Sequence, residues 1–361
     1  MEYKKNFEEI IPYYEAFWNC EILNKPAFLI TAPGNKHYQY KFNWSCWDPK
    51  NVFNYSSEQI LDAFEDSINN TFFGGLAIPF FWPNFGPDVF SGFLGTPIKF
   101  SEDSQGTSWI DWSFNALKSY DDLSCLSIKE ENPFYKKNIE LIKMAVERAH
   151  GKFIVGATDL HGGFDSLSVL RNGPDKACLD VIENADGVKS AMRKLFDVWK
   201  KIYDDYYDIV KDKQKGTTSW INIWNPSGKM YPVQSDLSCL VSSSTYKESL
   251  LEEILSEIEY LDYSIYHLDG VEALQHLDIL LDISRLNAIQ WVRGARFDSE
   301  SIEKWFPLYK KIQEKKKSIV VYPKINEIDL VLKNLKPEGL FIQMHVSSEE
   351  EAKQIMKKVG W

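Results

Sequence analysis

Between Leu261 and Gly294 the chain reads LDYSIYHLDGVEALQHLDILLDISRLNAIQWVRG. Two short apolar runs, Tyr263 to Tyr266 and Leu286 to Val292, flank a segment in which Val271, Leu274, Leu277, Ile279 and Leu280 recur mostly at three- and four-residue spacings. That pattern predicts a βαβ unit, because parallel strands need a crossover and helical periodicity fills it. The first strand ends in His267 and Asp269, the second in Gln290 and Trp291. In parallel α/β folds the carboxyl ends of the strands face the site, so these groups are the first candidates for chemistry. The competing reading is that His267 and Asp269 cap the next helix, since Asp269-Gly270 is also turn chemistry.

The rest of the chain extends this pattern. Residues 1 to 25 read as a peripheral helix and Pro26 to Ala32 as a strand closed by Pro33-Gly34. A helix follows from the capping box Ser56-x-x-Gln59. Strands are expected at 74–81, 152–158, 217–224, 230–234, 262–267, 286–292, 318–322 and 339–345. Helices between them include 138–150, a long amphipathic one carrying Val188, Met192, Leu195, Trp199, Ile202 and Tyr206, and two opened by Thr245-x-x-Glu248 and Ser347-x-x-Glu350. Eight strands separated mostly by helices predict an α/β fold, a TIM (β/α)8 barrel at 71–361 with residues 1–70 as an N-terminal helical and aromatic-loop elaboration. A doubly wound sheet is the alternative, but neither GxGxxG nor GxxxxGK[ST] occurs.

On a barrel, the strand ends name the candidates: Asp159 and His161 in TDLHGGFD, Trp224 and Asn225, Asp236 and Cys239 in QSDLSC, and His267 with Asp269. Gln290 with Arg293, Lys324, and Gln343 with His345 complete the set. His267 and Asp269, two apart on a strand, project to the same side, where they can bind a metal or act as a base and its orienting acid. Asp236 is a second acid or a substrate anchor. His345 is a further candidate ligand, although a structural histidine is the commoner outcome. Cys239 reads as an inert buried thiol rather than a nucleophile.

Composition narrows the partners. The net charge of −11 and the lack of a basic stripe disfavour nucleic acid, the dense run Lys315-Lys316-Lys317 reading as a solvated helix end. No run approaches membrane-spanning length. Five scattered cysteines, Cys20, Cys46, Cys125, Cys178 and Cys239, with no CxxC spacing, point to a reducing cytoplasm. Aromatic residues concentrate early, at Trp44, Trp47, Phe72, Phe73, Phe80, Phe81, Trp82, Phe85, Phe90 and Phe93. They form either a stacking surface for a flat ligand or a core under long loops.

TDLHGGFDSLSVLRNG (158–173), QSDLSCLVSSSTYKE (234–248), YHLDGVEALQHLDILLDISRLNAIQWVRGA (266–295) and GLFIQMHVSSEEEAKQIMKK (339–358) resemble the uroporphyrinogen decarboxylase superfamily. The likeness runs over roughly residues 60 to 361, and the HLDG and AIQWV stretches are most similar to its uncharacterised branch. The resemblance implies a barrel with its site at the carboxyl mouth, zinc or a corrinoid carried by a partner protein as cofactors, and a tendency toward homodimers. The departures matter as much. The arginine-rich N-terminal motif of the porphyrinogen decarboxylases is missing, the first arginine being Arg148. The His-x-Cys zinc pair of the corrinoid methyltransferases reads His267-Leu268-Asp269 here, and Phe341 to Val346 offers no thiol.

The favoured expectation is therefore a barrel enzyme, a corrinoid-dependent type of methyltransferase acting on a small or planar ligand. His267 and Asp269 would activate the acceptor or bind a metal, Asp236, Asp159 and His161 would position polar groups, and Trp82, Trp224 and Trp291 would supply apolar walls. A metal-free decarboxylase or lyase, with Asp236 or Asp269 stabilising charge and His267 moving the proton, is the second expectation. A non-catalytic binding barrel is the third.

Overall fold

The computed structural model describes residues 1–34, 48–100, 108–110, 114–129, 131–297 and 299–361. Trp44, Trp47 and Cys46 lie outside the described residues.

The strands, in chain order, are β1 (Ala27–Pro33), β2 (Thr71–Gly75), β3 (Phe80–Phe81), β4 (Ile98–Lys99), β5 (Trp109–Ile110), β6 (Ile154–Val155), β7 (Met230–Gln234), β8 (Tyr263–Asp269), β9 (Ala288–Val292), β10 (Ser318–Val321) and β11 (Leu340–His345). Seven of them form one sheet in the order β2-β1-β11-β10-β9-β8-β7. Every pairing in it is parallel except β1 with β2. β3 and β6 make a separate parallel pair, and β4 with β5 an antiparallel one. The α/β class with a mostly parallel central sheet is thus what these elements form.

The predicted βαβ unit is present. β8 and β9 pair in parallel, His267 opposite Gln290, with a 3-10 turn (Val271–His276) and a short helix (Leu277–Leu281) crossing between them. Two expectations need correction. Residues 217–224 do not form a strand: Thr217 and Asn225 make an isolated antiparallel bridge, and Thr218 Oγ1 donates to the Ile223 carbonyl, so the segment folds back on itself. Conversely, β1 lies inside the central sheet, between β2 and β11, although the segment before residue 71 reads as an elaboration. Its run AFLI is buried on both faces, and such strands carry no alternation to mark their place.

Helix starts follow local chemistry to within a few residues. Ser56 and Gln59 form the expected capping box. The other two boxes are displaced: Ser242 is a cap in place of Thr245, accepting from the Thr245 N–H, and Ser348 rather than Ser347 caps the last helix. Both are serine-rich stretches in which several hydroxyls compete for the same amides.

Period-two alternation sorts the sheet into two faces. One face packs Tyr231, Val233, Tyr266, Leu268, Ile289, Trp291, Ile319, Val321, Leu340, Ile342 and Met344 into the main core. The opposite face begins with Met230, Ile265, Ala288, Val320 and Phe341, which join Phe7, Tyr14, Phe17 and Trp18 of the helix Phe7–Trp18 in a second apolar cluster. One step toward the carboxyl ends, on that same second face, stand Gln234, His267, Gln290, Tyr322 and Gln343. An apolar floor with a polar layer above it is what makes a site on this sheet.

Candidate functional site

His267 sits on β8 above Ile265, and its Nδ1 lies 2.7 Å from Oε1 of Gln290 on β9. An amide oxygen only accepts, so Nδ1 carries the proton and Nε2 is left with a lone pair. Gln290 Nε2 in turn donates to the Tyr322 hydroxyl. The Trp220 ring stands edge-on to the imidazole with centroids 4.9 Å apart. Histidine is therefore held in one tautomer and one orientation before any ligand arrives.

Asp236 enters from the neighbouring strand. β7 ends at Gln234, and the 3-10 turn Asp236–Leu240 begins two residues later. Its start is fixed by Asp165, whose carboxylate accepts from the N–H groups of Asp236 and Leu237 at 2.9 and 2.8 Å. Asp236, His267 and Asp269 offer ligand atoms that all lie within 4.8 Å of one another, and so do His161, Asp165 and Asp236. Asp236 belongs to both trios. Its Oδ1 is buried without a hydrogen-bond partner.

The loop after β6 supplies the other side. Tyr231, on β7, accepts from the Leu160 N–H at 2.6 Å and donates to the Thr158 carbonyl at 2.8 Å, and Trp199 Nε1 donates to the Leu160 carbonyl. These bonds pin Asp159 and His161. His161 Nε2 lies 3.3 Å from Asp159 Oδ1, and Nδ1 lies 3.8 Å from Asp165 Oδ2. The Gln234 amide nitrogen lies 2.8 Å from Nδ1 and 2.6 Å from Nε2 of the same ring. The turn at Gly162-Gly163 is possible only without side chains, since Gly163 has φ +48° and a Cβ there would collide with the Glu253 carboxylate.

Charge in this cluster is closely balanced. Burial lowers the His161 pKa, but Asp159, Asp236 and Asp165 together outweigh it and raise it to about 10. Burial, then the Asp236 charge, raises Asp165 to about 6. Asp269 stands at the exposed rim; partial desolvation raises its pKa, His267 opposes that rise, and Asp236 adds to it. Asp88 is raised as well, chiefly by burial, with Asp159 adding to it.

The structure therefore brings together five of the residues singled out from sequence, namely His267, Asp269, Asp236, Asp159 and His161, with Gln290 behind His267. Gln343 shares the same face, its Oε1 buried and without a hydrogen-bond partner. Trp82 is buried directly after β3, next to Pro83, whose carbonyl accepts from Thr158. Two of the tryptophans lie elsewhere. Trp224 packs at 5.0 Å from Phe7 and 5.3 Å from Tyr14, in the floor cluster rather than in a wall of the site. Trp291, on the other face of β9 from Gln290, packs its ring against Trp305, centroids 4.5 Å apart and planes tilted by 58°. His345 meets Thr31 Oγ1 at 3.0 Å and is in neither trio. The Cys239 thiol is pushed up by burial and by neighbouring acids, which suits an inert side chain.

Asp165, Gln234, Trp220 and Tyr322 are participants that the sequence reading passed over. His161-x-x-x-Asp165 was visible as a spacing, and Gln234 as the last inward position of its strand, but nothing local ties either to Asp236.

No helix among the described residues is long and apolar enough to cross a membrane. No protein-family model matches this chain, and no curated protein is significantly similar to it.

Proposed function

We propose that this chain is a uroporphyrinogen decarboxylase-like barrel enzyme that acts on a small or planar substrate at the carboxyl ends of its parallel strands. Methyl transfer between a corrinoid carried by a partner protein and a nucleophilic acceptor atom of the substrate is the favoured reaction, with a divalent metal ion as the Lewis acid that would activate the acceptor. The observation that carries this reading is the convergence of Asp236, His267 and Asp269 within 4.8 Å, above an apolar floor, with His267 already oriented by Gln290.

Barrel closure has its own support. The chain leaving β2 stays on β1, the Leu76 N–H donating to the Phe28 carbonyl, and then leads into the β3–β6 pair. That pair is joined toward β7 through Ala157 N–H to Thr218 O and Met230 N–H to Thr217 Oγ1. Those last two bonds lie between the end of β6 and the β7 edge of the seven-stranded sheet, as a closed barrel would require.

The donor set decides which metal chemistry fits. With Asp269 where the resemblance expects a cysteine, it consists of nitrogen and carboxylate oxygen, and the buried, unpartnered Asp236 Oδ1 is the acceptor a cation would satisfy. Such a set fits a borderline or hard divalent ion and does not fit a sulfur-rich zinc site. When bound, the ion would supply Lewis acidity toward a substrate atom. The chain's own residues then have separable tasks. Gln290 and Tyr322 fix the His267 ring, Trp220 closes one side, and Asp159 with His161 can hold or move a proton next to the bound substrate. A reducing, cytoplasmic setting accords with Cys20, Cys125, Cys178 and Cys239 all being unpaired.

Metal-free proton chemistry is the second reading, and one observation favours it: the His161 ring lies 3.3 Å from Asp159 and 3.8 Å from Asp165, with Asp236 close by, and carboxylates so placed favour its charged, proton-donating form. Elemental analysis of protein purified without added metal separates the two. Near-stoichiometric metal, lost in His267→Ala and Asp269→Ala, supports the first; a metal-free protein overturns it and leaves the second. Incubation with a methylated corrinoid, followed by its absorption spectrum, then tests methyl transfer.

A further inference from the structure

We propose that the strand-end cluster is built for two divalent cations, with Asp236 shared between a first position at His267 and Asp269 and a second at His161 and Asp165. The inference rests on the metal-assisted reading above and extends it to residues that reading uses only for proton handling.

Three observations carry it. First, His161, Asp165 and Asp236 bring one ligand atom each within 4.8 Å of one another, as Asp236, His267 and Asp269 do, and Asp236 is common to both sets. A carboxylate has two oxygens, and one that bridges holds two metal ions about 3.5–4 Å apart, the spacing of two-metal hydrolytic and transfer sites. Second, the acceptors are available. Asp236 Oδ1 is buried with no hydrogen-bond partner. Each oxygen of Asp165 accepts one backbone N–H, which leaves each with a second lone pair. Third, Gln234 is 6% exposed, its amide nitrogen lies against the His161 ring, and its Oε1 is buried without a partner. The Gln234 amide thus packs the His161 ring beside Asp165 and Asp236, and its open oxygen is costly to leave unpaired.

The chemistry of the second position also follows. Histidine nitrogen and two carboxylates form the same kind of set as His267, Asp269 and Asp236, so Mn²⁺ or Mg²⁺ suits it as well as Zn²⁺, the ion displacing the His161 proton. The residues come from three places, the loop after β6, the first turn of the helix Gly163–Leu170 and the end of β7, so the site closes only when these elements are docked.

The test uses the full chain, stripped with chelator and dialysed against Mn²⁺ alone. Metal per chain is measured, together with the electron paramagnetic resonance spectrum. The expected result is two equivalents with a spin-coupled signal in the wild type. His161→Ala and Asp165→Asn should each hold one equivalent with an uncoupled signal, as should His267→Ala, while Asp236→Asn weakens both positions at least tenfold. Circular dichroism checks that Asp165→Asn, which alters a turn cap, is folded; His161→Ala carries the same test without touching that cap. A single equivalent in the wild type, unaffected by His161→Ala but lost in His267→Ala, overturns the second position and leaves the proposed function standing. No bound metal at all overturns both.

Discussion

His267 on β8 and Gln290 on β9 face each other in register, with Nδ1 and Oε1 2.7 Å apart. One hydrogen bond between paired strands thereby sets the tautomer of the histidine and the direction in which its free nitrogen points. Groups that orient a ligating histidine are worth 10–100-fold in metal affinity. Gln290→Ala should lower affinity for divalent metal by about that factor while leaving the stoichiometry of a saturated sample unchanged. Competition against a chromophoric chelator measures it, and an unchanged affinity would show that the bond is only structural.

One hydroxyl makes two of the bonds that hold the loop carrying Asp159 and His161. Tyr231 accepts from Leu160 N–H and donates to Thr158 O in a fully buried position. Tyr231→Phe strands both backbone groups, at about 1–3 kcal/mol for each that finds no new partner. Urea denaturation should show that loss, and amide exchange at Leu160 should quicken more than at distant core amides.

Trp224 separates stability from chemistry. It is buried against Phe7 and Tyr14, and its carbonyl accepts from Trp18 Nε1. Trp224→Ala should cost about 3–5 kcal/mol of folding stability, the usual range for an aromatic deleted from a core. Metal content per folded chain should remain that of the wild type. A loss of metal at unchanged stability would place Trp224 in the site after all.

Glu253 and Glu257, one turn apart on the helix Leu251–Tyr260, lie buried beneath the Gly162-Gly163 turn. Burial raises Glu253 from 4.5 to about 7 and raises Glu257 well above its ordinary value. A carboxyl whose pKa is higher folded than unfolded binds its proton more tightly when folded. Stability linked to Glu253 is therefore fullest below about pH 4.5, falls between there and pH 7, and is flat beyond. Glu253→Gln, which keeps the shape without the charge, should raise Tm at pH 8 and flatten this part of the profile. Scanning calorimetry at pH 5 and pH 8 decides it; an unchanged difference between the two would show that Glu253 titrates normally.

Much of the site was legible before folding was considered. His267, Asp269 and Gln290 could be placed because strand periodicity and a crossover fix both the direction of the chain and the face of each side chain. Asp236, Asp159 and His161 followed from the rule that strand ends point one way. The same rule misplaced 217–224, where an alternating run closes on itself through Thr218 and Ile223 instead of joining the sheet. It also placed Trp224 at a mouth it does not reach, since that position follows a turn, where no periodicity says which way a ring will point.

What the sequence by itself determined is local: most of the runs that are strands, the helix cap at Ser56, which polar residues end a strand, and a charge that disfavours nucleic acid. Only the tertiary structure decided which of those polar residues meet. Asp165 is four residues from His161, yet its partners are the backbone amides of Asp236 and Leu237, some seventy residues on. Gln234 meets the His161 ring, and Tyr322 supports Gln290, from strands whose order in the sheet no local pattern states. The physical reason is that backbone geometry depends on near neighbours. A site is made of contacts between distant ones, fixed when burial of the two faces of the sheet selects one packing.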